Sequence, residues 1–243
     1  MAAYPHHPRE LAAYDRAMSQ RNRLLQTRSN EPVWLSGLEA AMARHGVSVA
    51  AARNETVRQI NLYAQQDMDA FPAVQVTLNC DIADRLEAFP ALHVEDWLKE
   101  KLLASRLTDR DRGRSSLGVH KSDFQLTDLK KQRPAALAST GQQKSLLIGL
   151  ILAHARLVRD HRGTAPLLLL DEPLVHLDEQ RRLSLQKILQ TFQSTVLITG
   201  TDCAPFAPLQ GHAQFASVRQ GSFLSIYCPN IPSTLVAMQL AEH

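Results

Sequence analysis

The apolar positions of this chain follow two regimes. Through about residue 68 they recur at helical spacing. Leu11, Tyr14, Met18, Leu24 and Leu25 run towards Arg28 behind Pro8, a residue suited to a first helical turn. Ser29-Asn30-Glu31-Pro32 reads as a turn into a second helix bearing Val33, Leu35, Leu38 and Met42, with Trp34 beside them. Gly46 then punctuates it ahead of a third stretch with Val49, Val57, Ile60 and Leu62. These spacings predict an antiparallel helical front. Beyond it, 74–78 reads as a strand between Pro72 and Asn79-Cys80-Asp81. Residues 94–107 read as an amphipathic helix with Trp97, Leu98, Leu102 and Leu103 on its apolar side. Residues 109–116 read as a mobile polar loop, and 124–129 as a strand leading through 130–134 into the most informative stretch.

That stretch is 139–202. Leu167 to Leu170 are four consecutive leucines, predicting a strand buried on both faces in the middle of a parallel sheet. Asp171 and Glu172 follow at its carboxyl end, where open α/β sheets bind ligands. Upstream, Ser139-Thr140-Gly141-Gln142-Gln143-Lys144 opens a helix whose apolar positions are Leu146, Leu147, Leu150, Ile151, His154, Leu157 and Val158. A Ser/Thr/Gly start supplies a cap and free amides, a ready anion site. Downstream come Pro173, His176-Leu177-Asp178, a polar helix over 179–191, a buried strand over 195–198, and Thr199-Gly200-Thr201-Asp202. Strand, helix, strand and small polar turn make a βαβ unit. Two strands, 215–218 and 223–227, then flank Arg219-Gln220-Gly221-Ser222 as a hairpin, and 236–242 reads as a frayed helix.

The order S-T-G-Q-Q-K, L-L-L-L-D-E-P, H-L-D and I-T-G-T-D resembles the signature, Walker B, D-loop and switch segments of an ABC-type ATPase head, and most of all the RecF family of bacterial DNA replication and repair proteins. The resemblance implies an α/β fold: the C-terminal portion of a P-loop NTPase ABC-type head, a mostly parallel sheet with flanking helices. It also implies an α-helical arm over 1–70, followed by the ATPase-like lobe over 71–243. Residue by residue, Asp171 matches the aspartate that orients Mg²⁺ through its water shell, and Glu172 the base that positions the attacking water. Ser139, Gly141 and Gln142 match the signature that reaches the γ-phosphate of ATP held by the opposite subunit of a homodimer. Asp178 matches the D-loop aspartate at that seam, and Thr201 or Gly200 stands where transporter heads carry a histidine. Gly118-Val119-His120-Lys121-Ser122-Asp123 resembles a G-P-H-R-x-D run of the family. Lys121 keeps the arginine's charge without its planar fork.

The phosphate-cradling G-x-x-x-x-G-K-[ST] run has no counterpart, since no Gly-Lys pair occurs in the chain. The resemblance therefore places this chain as the C-terminal two thirds of a RecF-like protein, without the lobe that holds the phosphates. The implied function is ATP-dependent DNA binding and dimerisation, with recombinase loading at single-strand gaps and a place in the SOS response. Single-stranded DNA, single/double-strand junctions and recombination mediator proteins are the implied partners. Two further readings stand beside it: a non-hydrolysing module docking to DNA or partners, and the head of an ABC transporter, which the helical front and the S-T-G-Q-Q-K wording disfavour. A Ser139/His154/Asp171 hydrolase fits poorly, because nothing resembles a nucleophile elbow.

Composition is that of an ordinary globular protein: 44% hydrophobic, 21% charged, formal charge +3. No run suits a bilayer crossing and Pro5-His6-His7-Pro8-Arg9 is no signal peptide, so a cytoplasmic location is expected. Cys80, Cys203 and Cys228 are too scattered for a disulfide framework or Cys-x-x-Cys metal site. Lys99, Lys101, Arg106, Arg110, Arg112 and Arg114 cluster, but Glu95, Asp96, Glu100, Asp109 and Asp111 are interleaved. That mixture predicts a solvated charged helix ahead of a DNA track.

Overall fold

The structure, a computed structural model, describes residues 6–27, 31–66, 70–192, 194–202, 204–220, 222–227 and 235–240, with backbone alone at 219, 223–227 and 235–240. Ser29 and Asn30 of the expected turn at 29–32, and Cys203 and Cys228, lie outside these residues; Cys80 is a buried free thiol. Two compact units interleave along the chain, 1–59 with 76–125 and 60–75 with 126–243. A single cut after residue 70 does not produce this division, because the helices that follow the first strand share a core with the helical front.

In the first unit, α1 (His7–Gln26) and α2 (Pro32–Ala64) are the two long helices. α2 continues through Gly46, where the sequence suggested a break. A glycine inside a helix costs about 1 kcal/mol; here the ring of Tyr14 packs over it, 3.4 Å from where a Cβ would be, an ordinary contact distance. Then come β1 (Val74–Asn79), α3 (Asp81–Ala88), α4 (Ala91–Ala104), α5 (Arg106–Arg112) and β2 (Asp123–Asp128). The chain passes from one unit to the other three times: near the end of α2, between residues 59 and 60, then within β1 and within β2. The helix expected over 94–107 is thus two helices broken at Ser105, and Leu103 and Leu107 are exposed. Tyr14, Met42, Val49, Ile82, Leu98, Leu102 and Val119 form the core of this unit.

The polar tract at 109–116 is not a loop throughout, because α5 runs on to Arg112, and Asp109 within it is only 1% exposed. It faces Arg21, which is wholly buried in line with Tyr14, Ala17 and Leu25 on α1. The Arg21 guanidinium donates to Asp109 Oδ2 at 2.7 Å, Glu39 Oε1 at 3.0 Å, Ser115 Oγ at 3.0 Å and the Leu102 carbonyl at 2.6 Å. Arg106 adds a second cation on Glu39 at 2.6 Å. Burial pushes the Asp109 carboxyl up, but hydrogen bonds from Ser116 and Ser105 and the contact with Arg21 outweigh it and hold the group below the ordinary carboxylate range.

The second unit contains β3 (Arg133–Pro134), α6 (Thr140–Arg162), β4 (Leu168–Leu170), α7 (Glu179–Thr191), β5 (Val196–Gly200), β6 (Gln214–Arg219), β7 (Ser222–Tyr227) and β8 (Leu235–Leu240). β2 meets β3 antiparallel through Thr127↔Pro134 and Asp128↔Arg133. The main sheet runs β4-β5-β8-β6-β7. β4 and β5 are parallel with Leu170 opposite Ile198, so the strand-helix-strand unit expected over 167–200 is present. β6 and β7 form the expected hairpin, with an irregularity at Ser217/Val218.

Two expectations fail in this unit. β4 is an edge strand among the described residues, buried at Leu168 and Leu170 but exposed at Leu167 (56%) and Leu169 (68%), so a run of leucines here alternates rather than being covered on both faces. The frayed helix expected over 236–242 is instead strand β8 where it is described, parallel to both β5 and β6. A short apolar run does not distinguish helix from strand, and ladders on both sides decide it here. The core comprises Leu146, Leu152, Leu168, Leu170, Leu185, Val196 and Ile198 among others. On α6 it takes Ser145, Ile148 and Gly149 rather than Leu147 and His154, which face outward.

Candidate functional site

The carboxylates lie at the carboxyl end of β4, where the chain leaves the sheet. Asp171 is exposed and Glu172 half-buried. Glu172 has φ +45°, a conformation L-residues adopt at a cost of about 1–2 kcal/mol. Thr199, one residue beyond Ile198 in the parallel register, holds the pair together: its hydroxyl donates to Asp171 Oδ1 at 2.5 Å and accepts the Glu172 N–H at 3.0 Å. Thr201, the expected switch residue, is exposed beyond the end of β5. Gly200 is required by packing, since a Cβ there would come within 2.6 Å of the Phe206 ring.

The signature residues begin α6. Ser139, in extended conformation, is its N-cap, and Ser139 and Thr140 are exposed while Gly141 and Gln142 are half-buried. Gln142 closes a capping box, its Oε1 accepting the Ser139 N–H at 3.4 Å and an Arg133 N–H at 2.7 Å. A Cβ on Gly141 would stand 2.8 Å from the His176 carbonyl, so glycine permits the approach of the H-L-D loop. Lys144, one turn along the helix, donates to the Glu172 carbonyl at 2.5 Å. Burial lowers the pKa of its ammonium, while Glu172 and Asp171 act in the opposite sense.

Asp178 is the N-cap of α7, accepting the Arg181 N–H at 2.9 Å and pairing with its guanidinium at 2.9 Å. A cavity of about 310 Å³, lined by Lys130, Lys131, Gln142, Ser145, Asp178 and Arg181 among others, joins the first turns of α6 and α7. Asp128 pins its basic turn by accepting the N–H groups of Lys130 and Lys131, each at 3.0 Å. Ser139, Gly141, Gln142, Asp171, Glu172 and Asp178 thus all belong to one unit, around the first turn of α6, the end of β4 and the start of α7.

No cluster of three or more metal-ligating side chains occurs among the described residues. Mg²⁺ needs less from a protein when substrate phosphates and water supply its other oxygens. The exposed carboxylate of Asp171, oriented by Thr199, fits that limited share. Thr199 and Lys144 stood in the runs read from sequence but were given no role there. The signal for Thr199 is its register, opposite the residue that follows Leu170.

The Gly118–Asp123 run lies in the other unit and is structural up to His120. The His120 Nε2–H donates to the Ser115 carbonyl at 3.0 Å, which leaves Nδ1 to accept from the Tyr14 hydroxyl at 2.7 Å. Burial lowers the His120 pKa and favours this neutral form. Lys121 and Asp123 are exposed.

No family model matches the chain. It is 40% identical over 224 residues to the DNA replication and repair protein RecF of Mesorhizobium japonicum, covering 91% of this chain and 59% of that protein. The RecF of Brucella abortus is 41% identical over 222 residues, 90% of this chain and 58% of its own length. Two solved structures of the recombination mediator protein RecF of the RecFOR pathway, one with ATPrS and one with ATP, superpose with TM-scores of 0.70 and 0.68 over 84% and 83% of this chain, at 21% and 20% identity. They cover 55% and 54% of those chains and carry the same ABC-type α/β ATPase fold. Over nine tenths of its length the chain is similar to DNA replication and repair proteins of the RecF family, and it spans just under three fifths of the curated relatives it matches.

Proposed function

We propose that this chain supplies the carboxylate turn and the trans-acting signature of a RecF-type ATPase that binds DNA in replication and recombinational repair. The observation that supports this most is the convergence of Asp171, Glu172, Thr199 and the first turn of α6 at the carboxyl end of a parallel strand. In this reading Asp171 orients Mg²⁺ and Glu172 positions the attacking water. The helix start at Ser139 to Gln142, which presents Ser139 and Thr140 to the outside, meets the γ-phosphate of ATP held by a second subunit, with Asp178 at the seam and Thr201 in the switch segment. A phosphate-cradling loop must come from a part of the family's proteins that this chain does not span. The reading extends to a cytoplasmic homodimer that acts with recombination mediator proteins at single-stranded DNA and its junctions.

A second reading, a docking module that does not turn over nucleotide, is favoured by one observation: the chain has no Gly-Lys pair to cradle phosphate. The two are separated by joining the chain to the segment of a RecF relative that it lacks and replacing Glu172 with Gln. The ATPase reading predicts a fall in turnover of about 100-fold or more, consistent with loss of general-base and electrostatic contributions, with MgATP still bound. Undiminished turnover would remove Glu172 from the chemistry, and a joined protein that binds no MgATP would favour the docking module.

A further inference from the structure

The loop from Glu172 to Asp178 has a left-handed residue near each end, Glu172 at φ +45° and His176 at φ +63°. Such conformations persist where the surroundings over-determine them. Both are held by the same turn of helix. At one end the Lys144 ammonium reaches the Glu172 carbonyl at 2.5 Å. At the other, the bare Cα of Gly141 admits the His176 carbonyl to a distance that a side chain would not allow. Between them Leu174 and Leu177 are each 3% exposed, and the Leu174 carbonyl accepts from Arg182 Nε at 3.2 Å. The first turn of α6 is therefore a template on which the acid-bearing loop is laid.

We infer that Lys144 is a positioning residue for the Glu172 carboxylate, and that through it the helix start offering Ser139 and Thr140 outward is mechanically tied to the acid of the same chain. The inference rests on the proposed ATPase reading and names a residue that reading does not use. In that reading the signature acts on the nucleotide of a second subunit, whereas Glu172 acts on the nucleotide of its own. A ligand drawing the α6 N-terminus towards it then pulls on Gly141 and Lys144 together, and the carbonyl and φ of Glu172 follow. Each site of a dimer would report its occupancy to the other through three residues of helix, without a change in the sheet. The Lys144 charge suits the task. Its partner is a carbonyl oxygen, and a charge-assisted bond of this kind is stronger than a neutral one.

The test has two arms. In the 243-residue chain itself, amide hydrogen exchange is followed for the 172–178 segment in wild type, Lys144→Met and Lys144→Arg. The inference predicts at least tenfold faster exchange of the Leu174 to Leu177 amides in Lys144→Met, unchanged protection in β5 and the middle of α7, and recovery in Lys144→Arg. In the chain joined to a relative's missing segment, Lys144→Met lowers kcat for ATP about tenfold or more with KM within twofold, and Lys144→Arg restores most of it. Should Lys144→Met not fold, the same two comparisons are read on Lys144→Gln. Unchanged exchange in the loop, or a kcat equal to wild type, overturns the inference; so does a loss that Arg does not rescue. Failure of the ATPase reading is recognised separately, by Glu172→Gln turning over normally while the exchange difference at Lys144 persists.

Discussion

A side chain at Gly118 has nowhere to go: φ is +140° and a Cβ would fall 1.9 Å from the Tyr14 hydroxyl. That hydroxyl is held by His120, so it cannot swing aside without losing a buried bond. Gly118→Ala is expected to lower stability by about 1–3 kcal/mol, the usual range for overpacking, read as a shift in the urea midpoint. A change within about 0.5 kcal/mol, the range of an unremarkable surface site, would show that the loop is not locked against α1. Asp109 makes a prediction with a sign. Its carboxyl is held below the ordinary range in the folded chain, so its contribution is present above about pH 4, the unfolded carboxylate value, and is lost as pH falls through the folded value. Asp109→Asn should therefore be less stable at neutral pH and show a shallower loss of urea midpoint below about pH 4. An acid limb of the same slope as wild type would contradict that. Gly118 was visible in the sequence as part of a motif, whereas nothing in the local pattern marked Arg21 as a buried cation. The partners of both were hidden: Arg21 meets Asp109 across 88 positions, a distance no local pattern spans.

At the level of elements, reading was good where periodicity was long or flanked by chemistry. α6 and α7 begin at the residues that the S-T-G-Q and H-L-D runs marked, Thr140 and Glu179, because a cap side chain fixes a helix start locally. The β4-α7-β5 unit followed from two apolar runs separated by a polar helix. It was poor where tertiary neighbours decide. Gly46 looked like a stop until Tyr14 filled the space beside it, and the last apolar run looked helical until β5 and β6 flanked it. The alternation in β4 was hidden because four leucines show no polar face whichever way they point. Gly141 illustrates how element and site coincide: its lack of a Cβ lets two elements touch, and the resemblance separately places it in the signature. The Lys144 tether, tested above by exchange and kcat, belongs to this scale as well, since it joins a helix start to a strand end.

For the molecule as a whole, three of the six cations clustered at 99–114 pair with carboxylates of their own unit. Arg106 pairs with Glu39, Lys99 with Asp96 and Arg110 with Asp111, and Asp109 is buried on Arg21. This supports the solvated mixed-charge reading of the segment over a phosphate track. No helix among the described residues is long and apolar enough to cross a membrane. In the proposed function the acids of one chain and the signature of another complete a single ATP site. Mixing subunits tests it most directly. Two joined proteins are prepared, one carrying Ser139→Arg and the other Glu172→Gln, each expected to be inactive alone. In a mixed dimer one site collects both lesions and the other neither. Mixing is expected to restore ATP turnover to about a quarter of wild type at random pairing, rising to about half for a purified mixed dimer, because a two-fold interface brings the same pair of patches together twice. A mixture as inactive as its components would contradict it.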